Sequence, residues 1–548
     1  MATYDRRRFL QLGAGSVAAV AGAAVAGAGG PAGATSGARL LAAGIKRGGK
    51  VRIGITAESN GINPLSSQLA GPGMYYARAI FDPVCIVTAN GSVKPYLCQS
   101  VTPNANYTAW TFKLRPGISF HDGTPLDSSA FANYFNNIQH SPFSTTSAFS
   151  YLEQVQVVDA LTVTVNLKAP WVAMPAVLTG IVGDGQLGLV PAPSMLASPN
   201  GGANKPVGTG PFIFESWEPG SQLVVRRNPN YWQKGLPYLD QITFVPIVDD
   251  TSRYESLQAG TLDFIQMAQP LIINELLGNS QFDVLDDRQA PPIEPQQSFF
   301  MINTQNPPLD DLRVRRALAY ATNQKKVIAV TGGGLGTPST GLFSPGTKYY
   351  APTGYPQFNL RKAKALIAQY KADKGVPTFS IGVGGTTQVD EAEQLQQMWK
   401  AAGINVTGID TVDDNTFISQ VIAGKYSIGA WSQYEAPDPD LNYSFWTTST
   451  IGPPGQAAIN FSRFGNATID AALLTGRSNP DQAARIKAYQ TISDQFAQYV
   501  PYVWITRQIQ AVASAKNVTG YAKIAIPDGG SALAFTGGNI WMQQMHLT

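Results

Sequence analysis

Five side chains within one short stretch could hold a small molecule: Trp431, Tyr434, Glu435, Asp438 and Trp446. A carboxylate suits a partly desolvated ammonium group, which needs a charged hydrogen-bond acceptor. Indole and phenol rings can instead stack on sugar rings or apolar side chains. A third interpretation places the acids in a solvated turn and the rings in a hydrophobic core. Because loops at strand ends are where α/β proteins bind ligands, and this stretch follows a predicted strand, it is our candidate ligand-binding site.

Residue types that indicate catalysis or metal binding are sparse. The sequence lacks G-x-S-x-G, H-E-x-x-H and Walker motifs, and its two cysteines and three histidines are too few for a dense metal site. His121 and Asp122 are adjacent, but their Gly- and Pro-rich loop has no nucleophile motif, which favours a structural role. Paired carboxylates leave a secreted glycosidase as an alternative. We predict a protein that is not an enzyme, with no catalytic residues, no metal and no cofactor.

The composition is that of a globular protein with more than one domain. The chain has 548 residues, of which 44% are hydrophobic and 14% are charged. This length exceeds what one hydrophobic core accommodates and predicts two or three domains. The formal net charge is only +3, whereas a nucleic-acid-binding protein carries a strong basic excess. We expect no nucleic-acid partner.

The N-terminus has the features of an export signal. Residues 6–10, R-R-R-F-L, resemble the twin-arginine motif, and a weakly apolar run follows over 12–28 with small-x-small cleavage sites at 24–26 and 32–34. A membrane anchor is the alternative, but the run is Gly-rich and holds few strongly apolar residues. Near these sites there is no cysteine for a lipid anchor. We predict a signal peptide over 1–34, export by the Tat translocase through the twin-arginine pathway, and a periplasmic or extracellular location.

The two cysteines are predicted to form a disulfide. An exported protein enters an oxidising compartment, where disulfides persist. Asn90-Gly91 is a favoured hairpin turn and lies between Cys85 and Cys98, so the two thiols could face each other across paired strands. Two buried free thiols are the alternative.

Local turn chemistry and hydrophobic patterns predict the elements that must position the candidate site. Residues 212–217 and 222–227 read as strands joined at Glu218-Pro219-Gly220-Ser221, whose Pro and Gly suit a type II turn. Helical and strand patterns alternate over 360–409, which indicates an α/β domain with a partly parallel sheet. The apolar run 501–505 is predicted to return the chain to the first domain's sheet.

Four stretches resemble motifs of one protein family. Residues 205–232 resemble P-x-GTGPY…NP-x-YW, and residues 115–126 resemble R-x-G-x-x-F-H-D-G-T-P. Residues 253–263 are similar to R-x-x-x-L-x-x-G-x-x-D, and residues 303–317 to N-x-x-x-P-x-D-x-x-V-R-x-A. The chain thus resembles the bacterial extracytoplasmic solute-binding proteins of family 5, which include the dipeptide- and oligopeptide-binding proteins of ABC importers.

The resemblance implies an α/β, periplasmic-binding-protein-like fold of the cluster C type, with two lobes, three domains and a hinge. Domain I would combine residues 48–68, 200–295 and 503–548, domain Ib would span 69–199, and the second lobe 296–502. Ligand would lie between the lobes. The closed form, a monomer, would dock on a membrane permease whose ATPase partner powers uptake.

The resemblance also implies a ligand and an anchor for it. In peptide-binding members the corresponding loop reads W-x-x-D-Y-P-D-P, and its first Asp pairs with the free α-amino group of the peptide. Counted back from Asp438 this position falls on Glu435, whereas counted forward from Trp431 it falls on Tyr434, because the chain carries one extra residue. We therefore expect a peptide ligand, with an oligosaccharide as the alternative, since some relatives bind cello-oligosaccharides.

Overall fold

The structure, a computed structural model, describes residues 45–141, 148–181, 183–288, 293–385, 388–433, 436–453 and 456–548. Lys46–Thr548 form one compact unit. The predicted signal peptide lies outside the described residues. Within the described ranges, no helix combines the length and the apolar character that a membrane span requires.

The first sheet is built on Lys50–Ile55, a strand whose alternate residues Val51 and Ile53 are fully buried. This strand runs parallel to both of its neighbours, and the other pairings in the sheet are antiparallel. In neighbour order the strands are Phe282–Asp286, Ala511–Ala515, Phe264–Met267, Lys50–Ile55, Gln241–Pro246, Gln222–Arg227 and Phe212–Glu218.

The second sheet is built on Gln297–Ile302, a strand that is buried along its whole length. Thr378–Gly384 runs parallel to both of its neighbours, so the carboxyl ends of three strands meet at one edge of the sheet. In neighbour order the strands are Thr337–Pro338, Tyr502–Arg507, Gln297–Ile302, Ile428–Gln433, Thr378–Gly384 and Asn405–Val412.

The third sheet is antiparallel and shares one hydrophobic core with the first, because Phe112 and Val163 belong to the same buried cluster as Val51 and Ile53. Its strands, in neighbour order, are Cys98–Pro103, Ala109–Leu114, Thr162–Leu167 and Leu152–Asp159. Short two-stranded pairs complete the β-structure: Cys85–Val87 with Val93–Pro95, Val518–Thr519 with His546–Leu547, Ile524–Ala525 with Ser531–Ala532, and Phe535–Thr536 with Asn539–Ile540.

Most of the longer helices begin at an Asp or Asn whose side chain accepts a hydrogen bond from a backbone N–H of the first turn, as Asp127 does from Ala130. The α-helices are Ala70–Ile80, Ser128–Ile138, Met174–Val177, Pro193–Leu196, Asp250–Gln258, Pro270–Gly278, Leu312–Ala321, Gln324–Thr331, Leu360–Lys374, Val389–Ala402, Asp414–Ile422, Tyr443–Trp446, Ala467–Ser478 and Gln482–Tyr499. Short 3₁₀ turns lie at Ala148–Tyr151, Gly183–Gly188, Pro199–Gly202, Pro439–Asn442 and Thr448–Thr450.

The chain passes between the first and second sheets twice, after Phe282–Asp286 and again before Ala511–Ala515. The described residues of these two crossing segments, 287–288 and 293–296 on the first and 508–510 on the second, lie side by side: Gln508 N donates to Gln296 O at 3.0 Å, and Asp287 N donates to Gln510 O at 3.2 Å. The first lobe therefore contains the first and third sheets, the second lobe contains the second sheet, and the crossing segments form the hinge. The predicted fold class is confirmed, whereas the residue boundaries of the domains stay a prediction.

One strand assignment was wrong. The apolar run 501–505 does not return to the first sheet, because Tyr502–Arg507 pairs with Gln297–Ile302 and Thr337–Pro338 in the second sheet. The strand that does return is Ala511–Ala515. Both strands are almost wholly buried, so a continuous apolar pattern fits either sheet.

Three residues of the 205–232 motif meet at one buried carboxylate, Asp82. Its oxygens accept hydrogen bonds from Thr209 Oγ1 at 3.0 Å, Tyr231 OH at 2.9 Å and Trp232 Nε1 at 2.9 Å. Burial raises the pKa of Asp82 to about 7, although these three donors act against the rise. The motif residues are thus explained by the packing of the first lobe, without a ligand.

The glycines at 208 and 210 are also explained by packing within the first lobe. A Cβ on Gly208 would lie 2.2 Å from Ile80 O, and one on Gly210 would lie 2.5 Å from the same oxygen, so only glycine fits there. His121 docks on this segment, with Nε2 3.0 Å from Gly210 O, and burial lowers its pKa to about 4. The neutral imidazole is a structural donor, in agreement with the role expected for the His121–Asp122 pair.

The structure does not contain the predicted disulfide. Cys85 and Cys98 are both free and buried. The hairpin turn forms at Asn90-Gly91, but its register places Pro95 opposite Cys85, while Cys98 starts the next strand and pairs with Leu114. The turn alone therefore did not determine which residues face each other.

Candidate functional site

The candidate loop begins where the strand Ile428–Gln433 ends, at the edge of the second sheet that receives the carboxyl ends of its parallel strands. Gln433 and Ala436 flank Tyr434 and Glu435, which lie outside the described residues. Ala436 exchanges backbone hydrogen bonds with Glu294 of the first crossing segment, at 3.2 and 3.3 Å, and its side chain packs into the core of the first lobe. The chain on either side of residue 435 thus connects the second sheet with the hinge and the first lobe.

Asp438 is held in a buried ion pair. Both of its oxygens accept from Arg485 Nη2, at 2.8 and 2.7 Å, and Tyr349 OH lies 3.3 Å from Oδ2. Burial opposes the charge on Arg485, but the Asp438 carboxylate outweighs it and raises the pKa of that guanidinium. Since Asp438 is only 7% exposed and already paired, this geometry favours a structural role over that of an ammonium anchor.

Asp440, which the sequence analysis did not single out, joins the two lobes. Its oxygens accept from Trp171 Nε1 of the first lobe at 2.7 Å and from Arg477 Nε of the second lobe at 2.9 Å. Arg477 O accepts from Val172 N at 2.8 Å. The side chains of Trp171, Asp440 and Arg477 are buried, and Val172 contributes its backbone N–H. We call this group the interlobe clasp: Trp171, Val172, Asp440 and Arg477.

The two tryptophans of the predicted ligand site have different surroundings. Trp446 is 1% exposed and packs edge-on against Phe343 and Phe496, so it belongs to the core of the second lobe. Trp431 is half-buried and contacts Phe461 with ring centroids 5.1 Å apart. Trp431 is therefore the better placed of the two rings to meet a ligand.

Both tryptophans line a cavity of about 10 Å³ with Gln433, whose Oε1 is buried and, in the described part of the chain, has no hydrogen-bond partner. A volume of this size is about that of one water molecule. An orphan acceptor at the end of the Ile428–Gln433 strand is a polar contact point next to the candidate loop.

A larger cavity, of about 150 Å³, lies between the first lobe and the crossing segments. Its polar walls are formed by Thr56, Gln266 and Thr536 from the first lobe and by Gln296 and Gln510 from the two crossing segments. No motif singled out these residues, because glutamines in unrelated parts of a chain have no recognisable spacing. In the sequence, only the Gln-rich composition of 290–297 pointed to this cavity.

A buried acid, Glu294, lies at the same hinge. Its carboxylate accepts from Thr347 Oγ1 at 2.7 Å and from Gln297 Nε2 at 3.1 Å. Burial raises the pKa of Glu294 to about 7. Among the described residues, no group of three or more His, Cys, Asp or Glu side chains is arranged to hold a metal ion.

Comparisons with known proteins place the chain in a family. The profile of the "Bacterial extracellular solute-binding proteins, family 5 Middle" matches residues 92–453. The glutathione-binding protein GsiB of Salmonella paratyphi A is 26% identical over 464 residues, which cover 81% of this chain and 86% of GsiB.

Solved structures share the fold. DppA of Helicobacter pylori, in complex with the peptide STSA, superposes with a TM-score of 0.79 at 20% identity, covering 92% of this chain and 98% of DppA. AgaA from A. tumefacien R10, in complex with agropinic acid, has a TM-score of 0.78 at 24% identity and covers 91% of this chain and 99% of AgaA. The chain belongs to the bacterial extracellular solute-binding proteins of family 5, the substrate-binding proteins of ABC transporters.

Proposed function

We propose that this protein captures short peptides between its two lobes and delivers them to a membrane permease, without chemical conversion. The observation that carries the proposal is the position of the candidate loop. Its flanking residues Gln433 and Ala436 connect the carboxyl-end edge of the second sheet to the first crossing segment, where a ligand held between the lobes would be enclosed.

Glu435 is the proposed anchor for the α-ammonium group of the peptide. It stands three residues before Asp438, whose carboxylate is already paired with Arg485, so Asp438 is not free for that role. A carboxylate is needed because an ammonium group that loses water must be compensated by charge. Trp431 is proposed to contact a ligand side chain from the same loop.

Relatives support a peptide-like ligand. GsiB is named for binding glutathione, and DppA was solved with a tetrapeptide, STSA. Both ligands contain peptide bonds and a free amino group. We place the ligand of this protein in the same chemical class.

A thermal-shift panel tests the ligand class. The probes are Met-Leu, di- to pentapeptides, glutathione, cello- and xylo-oligosaccharides and Ni²⁺, each added to the purified chain without residues 1–34. A ligand at one hundred times its Kd stabilises the folded state by about 2.7 kcal/mol. We expect stabilisation by one or more peptides; stabilisation by oligosaccharides alone would contradict the proposal. Chromatography of each probe after incubation checks that none is consumed.

Export by the twin-arginine pathway and a monomeric state are part of the same proposal. Exchanging Arg6 and Arg7 for lysine keeps the charge of the N-terminus but removes the motif. We expect the variant precursor to stay in the cytoplasm, whereas efficient export would contradict the pathway. Light scattering of the purified chain with and without peptide measures the oligomeric state, which we expect to remain monomeric.

A further inference from the structure

The cavity at the hinge is lined by carboxamide groups. Gln266 lies on the first sheet and is 3% exposed, Gln296 lies on the first crossing segment, and Gln510 lies on the second. These three side chains come from distant parts of the chain and converge only because the two crossing segments lie side by side. Closure of the lobes would therefore bring a ligand held by both lobes against them.

The amides have unused hydrogen-bonding capacity. Gln510 Nε2 donates to Gln296 Oε1 at 2.5 Å, and Thr56 Oγ1 lies 3.4 Å from Gln266 Oε1. Within the described ranges, the side-chain hydrogen bonds of Gln266 and Gln510 do not involve Gln266 Nε2 or Gln510 Oε1. One strong donor and one strong acceptor thus remain on the cavity wall.

Gly538 keeps the space next to these atoms clear. A Cβ on Gly538 would lie 2.3 Å from Gln510 Oε1 and 2.7 Å from Gln266 Nε2. Behind this glycine turn is Asn539, which is 0% exposed and whose Oδ1 has no hydrogen-bond partner within the described ranges. Asn539 does not line the cavity, so the polar contact points on the wall are those of Gln266 and Gln510.

The wall carries no charge. Among the described residues that line the cavity, none is ionisable. The Arg78 guanidinium stands behind the wall: Arg78 Nη2 donates to Thr536 Oγ1 at 2.8 Å, and Arg78 Nε lies 3.3 Å from Gly180 O. The guanidinium is thus used within the first lobe, and Thr536 separates it from the cavity.

An uncharged cavity lined by amides favours a neutral group on the ligand. A carboxylate placed among amides without a facing cation keeps most of its desolvation cost, whereas a primary carboxamide can donate to Gln510 Oε1 and accept from Gln266 Nε2. A cavity of about 150 Å³ can hold a group the size of benzene. Resting on the proposed peptide-binding function, we propose that this cavity is a subsite for a neutral carboxamide end of the ligand and discriminates against a free carboxylate.

The test compares Ala-Ala amide with Ala-Ala by isothermal titration calorimetry at pH 7.5. Both probes keep the free α-amino group, so they differ only at the end that would enter the cavity. We expect the amide to bind at least tenfold more tightly. Equal or tighter binding of the carboxylate form would overturn the inference and leave the proposed function standing, whereas the absence of binding by every free-amino peptide would contradict the proposed function itself.

Two variants test whether Gln510 is responsible for the preference for the amide over the carboxylate. Gln510→Met keeps the length of the side chain but removes its hydrogen-bonding groups, and we expect the preference for the amide over the carboxylate to fall at least fivefold. Gln281→Met, on an exposed glutamine outside the cavity, is the matched control and should leave the preference unchanged. An unchanged preference in Gln510→Met would refute the assignment. Because the readout is a ratio of two affinities, a general loss of stability in the variant does not imitate the result.

Discussion

The interlobe clasp predicts that one indole N–H contributes to ligand affinity without touching the ligand. Trp171→Phe removes the hydrogen bond from Trp171 Nε1 to the buried Asp440 carboxylate, a 2.7 Å contact between residues 269 positions apart. A hydrogen bond to a charged group contributes about 1.5–3 kcal/mol. Opening of the lobes would break this bond, so its loss acts on the closed form alone.

The expected effect on affinity follows from that figure. If capture of a ligand requires closure, the lost energy appears in the dissociation constant, and each 1.4 kcal/mol is about a factor of ten. We therefore expect the Kd of Trp171→Phe for Met-Leu or glutathione to rise about 10- to 150-fold. The rise is smaller to the extent that the lobes are already closed without ligand.

A matched control is available in the same lobe. Trp110 Nε1 donates to Trp171 O at 3.0 Å, and Trp110 and Trp171 both belong to the first lobe. Trp110→Phe therefore loses an indole hydrogen bond in the open and the closed forms alike. We expect a lower free energy of unfolding in urea but an unchanged Kd.

Calorimetry and small-angle X-ray scattering together test the clasp. The radius of gyration of the ligand-free Trp171→Phe variant should be larger than that of the wild type, whereas Trp110→Phe should match the wild type. Equal changes in Kd for the two variants, or no change for Trp171→Phe, would refute the reasoning that the clasp stabilises closure.

Two further predictions concern buried groups of the first lobe. Because burial raises the folded pKa of Asp82 to about 7, its contribution to stability is complete below the unfolded pKa and is lost as the pH rises through 7. In urea titrations, the free energy of unfolding of the wild type should fall between pH 5 and pH 8, and in Asp82→Asn this fall should be smaller by about 2–3 kcal/mol. An equal fall in the two proteins would contradict the raised pKa of Asp82. Burial also raises the pKa of Cys85 and Cys98, so neither thiol should react with Ellman's reagent in the folded chain, and two should react after unfolding without reductant. Zero reactive thiols after unfolding would show the disulfide that the sequence had suggested.

Features set by neighbouring residues were predictable from the sequence. The hairpin at Phe212–Glu218 and Gln222–Arg227 formed where Pro219 and Gly220 placed its turn, with φ of 76° at Gly220. Asp127 capped the helix that follows it. In both cases the determining contacts span only a few residues.

Features set by distant contacts were not predictable. The clasp joins Trp171 to Asp440, and the hinge cavity joins Gln266 to Gln510, and neither pair has a local pattern. The Cys85–Cys98 prediction failed because a turn residue pair does not specify the register three residues beyond the hairpin. Likewise, an apolar strand carries no information on which of two sheets it joins.

The most direct test of the proposed function is the affinity of Met-Leu and of N-acetyl-Met-Leu for the wild type and for Glu435→Ala. Acetylation removes the positive charge of the α-amino group and leaves the rest of the peptide intact. We expect the wild type to bind the free-amino form at least tenfold more tightly, and Glu435→Ala to bind both forms with similar, weaker affinity. Equal binding of the two forms by the wild type, or an undiminished preference in Glu435→Ala, would contradict the assignment of Glu435 as the peptide anchor.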